Sequence, residues 1–332
     1  MGALSCAKFL AMGKLKLIYI LNLILIVGVG ISLIGQNIYI VCAGRFIWGI
    51  AFGAFSVVSA KFVNEIVPIE LGGSFGAINQ MALCFGSALP GTMALAYPDS
   101  FSDVSKDDFY VTTYWRIIWL LPLFVSALQM LLLSTCFRHE TPVYLQEKGR
   151  EEELLVVMKK FYTGMEVRRR LDALQAGSQR NEGKQESQEV TIKETFLDPR
   201  IRGAAWVGFW LVTIQQLTGI NAVIFYSAQL FGRDVDDPTS TGLSPNVVSC
   251  IINWANFLAA GIGAVLLGHF GRKTLFVGSQ FFCIIGMIGM WIFSTYLISD
   301  TVMYVLVVAF IFGFEFGPGP IVWLYLSEIC ND

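Results

Sequence analysis

Long apolar runs, repeated along the chain, constrain this sequence more than any other feature. They cover residues 17–35, 38–61, 75–97, 113–136, 203–231, 246–268, 274–298 and 301–326. Each is long enough to cross a hydrocarbon core about 30 Å thick. A shorter apolar run at 1–11 precedes them and is too short to cross. Composition agrees: 55% of the residues are hydrophobic and 14% are charged, against about 25% charged in a soluble domain. The fold class this implies is all-α, a polytopic transmembrane helical bundle of eight complete spans plus one partial span.

The loops orient the spans. Lys14 and Lys16 follow the partial span, Arg272 and Lys273 follow 246–268, and the long segment 137–202 carries Arg138, Lys148, Arg150, Lys159, Lys160 and Arg168 to Arg170. The alternate loops, 98–112 and 232–245, are acidic. Cations favour the cytoplasmic side, so 137–202 is expected to be a cytoplasmic linker. It separates an N-terminal transmembrane bundle, 1–136, from a C-terminal one, 203–332. Within it, EEELLVVMKKF (151–161) and MEVRRRLDAL (165–174) have helical apolar spacing. Residues 177–189 hold almost no apolar side chain and are expected to be mobile.

Several function classes fall away. A net charge of −2 leaves no reason for a nucleic-acid partner. The seven cysteines lack CxxC spacing and read as free, buried thiols. Two isolated histidines, His139 and His269, make no metal site. The run at 17–34 has no small-residue cleavage signature and does not read as a signal peptide. No GxxxxGK[ST] loop is present, and no charge pair or Ser-His-Asp set points to covalent chemistry. The chain is therefore expected to be neither an enzyme nor a cofactor protein.

Polar residues inside spans need a partner, a cavity or a pore. QQLTGIN (215–221) places Gln215, Gln216 and Asn221 in an apolar run. On a regular helix Gln216 and Asn221 lie 140° apart, at about 100° per residue. A break at Thr218-Gly219 would bring the amides to one cavity, as in the discontinuous helices of transporters. Interhelical hydrogen bonding is the competing explanation. Asn79 and Gln80 lie in a second span, and Asn253 and Asn256 share one helical face of a third. In GFEFGPGPIVW (313–323), Gly317-Pro318-Gly319-Pro320 follows Glu315 and is expected to be a hinge or an unwound site. Trp323, just beyond it, suits stacking on the apolar face of a sugar ring; an interfacial aromatic is the alternative. Amides donate and accept, so the set fits neutral, hydroxyl-rich ligands better than ions.

The chain also repeats itself. The cationic turn GKLK (13–16) precedes NEIVP (64–68), and GRK (271–273) precedes SEI (327–329) at comparable spacing across the linker. Two related bundles are the pattern of a transporter. On a plan of two six-span bundles, the chain is expected to be a fragment lacking both ends.

GRFIWGI (44–50), NEIVP, HETPVYL (139–145), QQLTGIN, GRK, FEFGPGPIVW (314–323) and SEI together resemble the sugar porter branch of the major facilitator superfamily, the facilitative glucose and hexose transporters. The resemblance implies the major facilitator fold. It also implies that Gln80, Gln215, Gln216, Asn221 and Asn256 bind sugar hydroxyls, with Glu315 and Trp323 in the same site. Glu65, Glu140, Arg272, Lys273 and Glu328 match the family's charged inner latch, and Gly317, Pro318, Gly319 and Pro320 its gate. The chain departs from the pattern at Gly72-Gly73, at Val143 and at the GKLK turn. Those departures lead to the expectation of a weakened latch.

The reading these features support is a carrier of hexose or a related sugar working by alternating access. A sugar receptor of the same fold and an inactive transporter fragment are the alternatives. Sugar and the lipid bilayer are the expected partners, with protons as a further candidate. The plasma membrane is the first expectation for location and an internal membrane the second.

Overall fold

The structure, a computed structural model, describes residues 2–67, 72–97, 113–162, 164, 166–169, 171, 172, 196–199, 201–230, 244–296 and 300–329. Residues 177–189, most of the acidic loops 98–112 and 232–245, and much of 165–174 lie outside them. Thirteen α-helices are bounded among the described residues: α1 Gly2–Phe9, α2 Lys14–Ile34, α3 Ile38–Ile66, α4 Gly72–Met93, α5 Trp115–Thr135, α6 Pro142–Glu147, α7 Glu151–Phe161, α8 Arg202–Leu217, α9 Ile220–Leu230, α10 Pro245–His269, α11 Arg272–Tyr296, α12 Asp300–Phe316 and α13 Pro318–Ile329. No strand occurs among the described residues.

Local chemistry sets several helix starts. Asn37 opens α3 by accepting a hydrogen bond from Tyr39 N at 3.3 Å. Ser244 does the same for α10 through Val247 N at 3.4 Å, with Pro245 in the first helical position, where no N–H is needed. Seven helical spans among the described residues are long and apolar enough to cross a membrane. Two of them are composite: Arg202–Phe225 joins α8 to α9, and Thr301–Leu326 joins α12 to α13. The eighth expected span, 75–97, is the helix α4 and is not among the seven. Its Asn79, Gln80, Ser87 and Thr92 dilute its hydropathy.

By contact the chain divides into two units, Met1–Ile69 with Thr113–Val190, and Glu70–Thr112 with Thr191–Asp332. In the first unit α2 crosses α3 at Gly28, where a β-carbon would meet Trp48 N at 2.7 Å. Small residues permit this close approach, the main source of helix association in lipid. Leu17, Ile18, Leu21, Ala54, Val58 and Leu133 form its core. A buried polar node ties α2 to α5: Asn22 Nδ2 donates to Gln129 Oε1 at 3.0 Å, and Ser126 Oγ donates to Asn22 Oδ1. Helices α6 and α7, within the expected linker 137–202, enclose a small core of Leu145, Leu154, Val157 and Met158.

The second unit packs α9, α10, α11 and α12 around Val248, Ile252, Val307, Phe310, Ile311 and Phe314. The helix α4 precedes the linker in sequence, yet its contacts place it in this second unit, against α10 and α13.

Candidate functional site: an amide, thiol and carboxyl cluster

Three helices of the second unit bring polar side chains to one point. Gln80 and Cys84 stand one turn apart on α4, on the same face. Asn256 comes from the middle of α10 and Glu315 from the end of α12. Gln80 Nε2 donates to both carboxyl oxygens of Glu315, each at 3.2 Å. Cys84 Sγ lies 3.5 Å from Glu315 Oε1, and Asn256 Nδ2 donates to Cys84 Sγ at 3.3 Å. Glu315 is 1% exposed, Cys84 3% and Asn256 4%. Gly319 admits this carboxyl: a β-carbon there would stand 2.8 Å from Glu315 Oε2 and 3.4 Å from Gln80 Nε2.

Two helix breaks flank the cluster. The first separates α8 from α9 at Thr218 and Gly219, and Gly219 has φ +82°, a conformation that other residues rarely adopt. The break lets Asn221 Nδ2 donate to Gln216 Oε1 at 2.8 Å, across five residues that a straight helix would hold apart. Both of these side chains are exposed. Gln215 turns the other way. It is buried, and its Nε2 donates to the carbonyls of Pro318 at 2.9 Å and Gly319 at 3.4 Å. The break at Gly219 thus brings Gln216 and Asn221 together, whereas Gln215 stands apart from them and ties α8 to α13. The second break is narrower than a four-residue unwound segment. Only Gly317 is non-helical, and Pro318 opens α13, because a first-turn proline needs no N–H.

Two buried amide oxygens, Asn256 Oδ1 and Gln215 Oε1, have no hydrogen-bond partner among the described residues. Turning either amide over exchanges its oxygen and nitrogen but still leaves one polar atom unmatched. Such atoms are costly to leave bare, about 1–3 kcal/mol each. Asn253, by contrast, is satisfied inside its own helix by Ser249 O at 2.8 Å. Trp323 lies on α13 and is 44% exposed.

The residues of the expected latch fall in separate places. In the first unit Glu140 spans the start of α2, accepting from Leu15 N at 3.1 Å and Lys16 N at 3.4 Å. A carboxylate there satisfies open N–H groups and complements the helix dipole. Glu65 forms an ion pair with Lys14 of the GKLK turn, so a lysine of that turn is the partner of this carboxylate. In the second unit Arg272 and Lys273 are exposed at the start of α11. They line a cavity of about 380 Å³ with Phe276, Val322 and Tyr325. Glu328 lies on α13, and its side chain is outside the described residues.

Sequence reasoning misses one member of the cluster, Cys84, which is signalled only by its place one turn after Gln80. Outside the cluster it misses Lys14 as the partner of Glu65. The cluster as a whole presents donors, acceptors and a carboxyl in an apolar surround, with no ion pair to Glu315 among the described residues. Such a set can recognise hydroxyl groups, which both donate and accept.

The family model described as "Sugar (and other) transporter" matches residues 1–332. Hexose transporter 1 of Plasmodium falciparum is 24% identical over 95% of this chain and 62% of its own length. Solute carrier family 2, facilitated glucose transporter member 2, of Rattus norvegicus is 28% identical over 97% of this chain and 59% of its own length. The chain therefore spans about three fifths of these curated relatives. Among solved structures, the proton:xylose symporter XylE bound to 6-bromo-6-deoxy-D-glucose superposes with a TM-score of 0.77, at 19% identity, over 98% of this chain and 69% of that one. An inward open form of XylE from E. coli gives 0.71 at 17% identity, over 97% and 68%. The fold is that of the major facilitator superfamily, in an integral, multi-pass membrane protein. With its entire length inside the match, the chain belongs to the sugar (and other) transporter family.

Proposed function

We propose that the chain carries a hexose or related sugar across a membrane by alternating access. The single observation that carries this reading is the buried cluster of Gln80, Asn256 and Glu315, with an unmatched amide oxygen at its edge. Sugar hydroxyls would take up Asn256 Oδ1 and share the donors of Gln80. Gln215, Gln216 and Asn221 would add contacts beside the break at Gly219, and Trp323 would cover the ring. The relatives' names, hexose and glucose transporters, agree with that chemistry. The family match accords with a carrier rather than an enzyme.

In this reading the chain before the linker and the chain after it act as two bundles, 1–136 and 203–332, joined by a cytoplasmic 137–202. The Lys14–Glu65 pair, Glu140, Arg272, Lys273 and Glu328 would steady the inner side. The segment Gly317-Pro318-Gly319-Pro320 would bend as that side opens. The plasma membrane is the proposed location.

Uptake of labelled hexose into liposomes carrying the purified chain tests the reading. Gln216→Leu removes the acceptor of Asn221 and a hydroxyl partner. It is expected to raise the transport KM about tenfold, the effect of losing one hydrogen bond to a ligand hydroxyl. Unchanged KM in that variant would remove Gln216 from the site, and absence of uptake by the wild-type chain would sink the carrier reading.

A further inference from the structure

Cys84 sits at the centre of the cluster rather than at its margin. Asn256 Nδ2 reaches its sulfur at 3.3 Å, Glu315 Oε1 lies at 3.5 Å and Gln80 Nε2 at 3.8 Å. Three groups capable of strong hydrogen bonds therefore meet at the weakest donor and acceptor among the polar side chains. The amide of Asn256 has capacity for four bonds, yet its Nδ2 is spent on sulfur and its Oδ1 is unmatched among the described residues. A buried cysteine that merely fills space between α4 and α10 would need apolar neighbours. Here its neighbours are an amide, a second amide and a carboxyl, drawn from three helices.

We propose that Cys84 is a positioning residue that keeps the Asn256 amide and the Glu315 carboxyl in their binding orientation through contacts weak enough for sugar hydroxyls to displace. This rests on the hexose-carrier reading. Binding exchanges S–H···O and N–H···S contacts for O–H···O and N–H···O contacts, so the exchange favours the ligand. A serine hydroxyl at the same point would hold the two groups more firmly and compete with the sugar. A methyl group would hold neither, and the ligand would have to order both on arrival, which weakens affinity. The thiol is the intermediate case, oriented but yielding.

The test compares the wild-type chain with Cys84→Ser and Cys84→Ala, each purified whole. Two quantities are measured: the Kd for D-glucose by calorimetry, and the melting temperature without sugar. Cys84→Ser is expected to weaken glucose binding about fivefold to tenfold while raising the sugar-free melting temperature by about 2 °C. Cys84→Ala is expected to weaken binding and lower the melting temperature together. The opposite signs in the serine variant are the signature, because a residue that only packs moves both quantities the same way. Glucose Kd values within twofold of wild type in both variants would overturn the proposal, as would a lower melting temperature in Cys84→Ser. If the wild-type chain binds no glucose, the carrier reading fails. The orienting role is then judged by the sugar-free melting temperatures alone, where a rise in Cys84→Ser supports it and a fall overturns it.

Discussion

Asn253 and Asn256 show how little separates a structural amide from a proposed site residue. They lie one turn apart on the same face of α10, and residue type does not distinguish them. Asn253 is bonded within its own helix, whereas Asn256 reaches across to α4 and keeps one oxygen unmatched. Gln80 is the other decisive residue, since its Nε2 reaches both oxygens of a carboxyl that is almost fully buried. Gln80→Leu takes this donor away and leaves the thiol as the remaining contact to Glu315 among the described hydrogen bonds. The expected cost is about 1–3 kcal/mol, read as a lower melting temperature and a weaker affinity for hexose in the same sample. Normal stability and affinity in this variant would show that the bond to Glu315 contributes neither. Gln80, Asn256 and Glu315 are legible in the sequence because polar residues inside apolar runs stand out. Cys84 is not legible, because cysteine is at home in any apolar run, and only the fold reveals its polar company.

The two breaks belong to the scale of the helix. Gly219 and Pro318 announce them in the sequence, one through its freedom at positive φ and the other through its missing N–H. The destinations of neighbouring side chains are not announced in the same way. Gln215 and Gln216 are adjacent, so a helical turn of about 100° sends them to different sides. One anchors α13 and the other pairs with Asn221. The extent of the second break is likewise hidden, because glycine and proline in GPGP permit either an unwound stretch or a fresh helix start at Pro318. Replacing Gly219 by valine forces a β-branched residue into the φ +82° conformation, at an expected cost of about 1–3 kcal/mol. The Gln216–Asn221 pair should be lost with it. Uptake assays should then show a lower kcat, with the protein still inserted; wild-type uptake by Gly219→Val would mean that the break plays no part in transport.

At the scale of the whole chain, the apolar runs make the order of the helices legible. They do not disclose that α4, which precedes the linker, packs in the unit built mainly from residues beyond it. That outcome depends on which side chains α4 offers: Gln80 and Cys84 find their partners on α10 and α12, and this is a property of tertiary contact rather than of hydropathy. The Lys14–Glu65 pair has the same character. Its side chains are 8% and 18% exposed, between the exposed pairs that contribute under about 1 kcal/mol and the buried ones whose disruption costs about 3–5 kcal/mol. A double-mutant cycle of Lys14→Ala and Glu65→Ala should give a coupling of about 1–3 kcal/mol in thermal stability, and additive single effects would mean the pair stabilises nothing.

In the proposed function, a neutral, hydroxylated ligand binds at the cluster of the second unit. Saturation binding of labelled D-glucose to the purified wild-type, Asn253→Ala and Asn256→Leu chains tests it most directly. Saturable binding is expected, retained by Asn253→Ala and weakened about tenfold or more by Asn256→Leu; equal glucose affinity in all three, or none in the wild-type chain, would rule out this site.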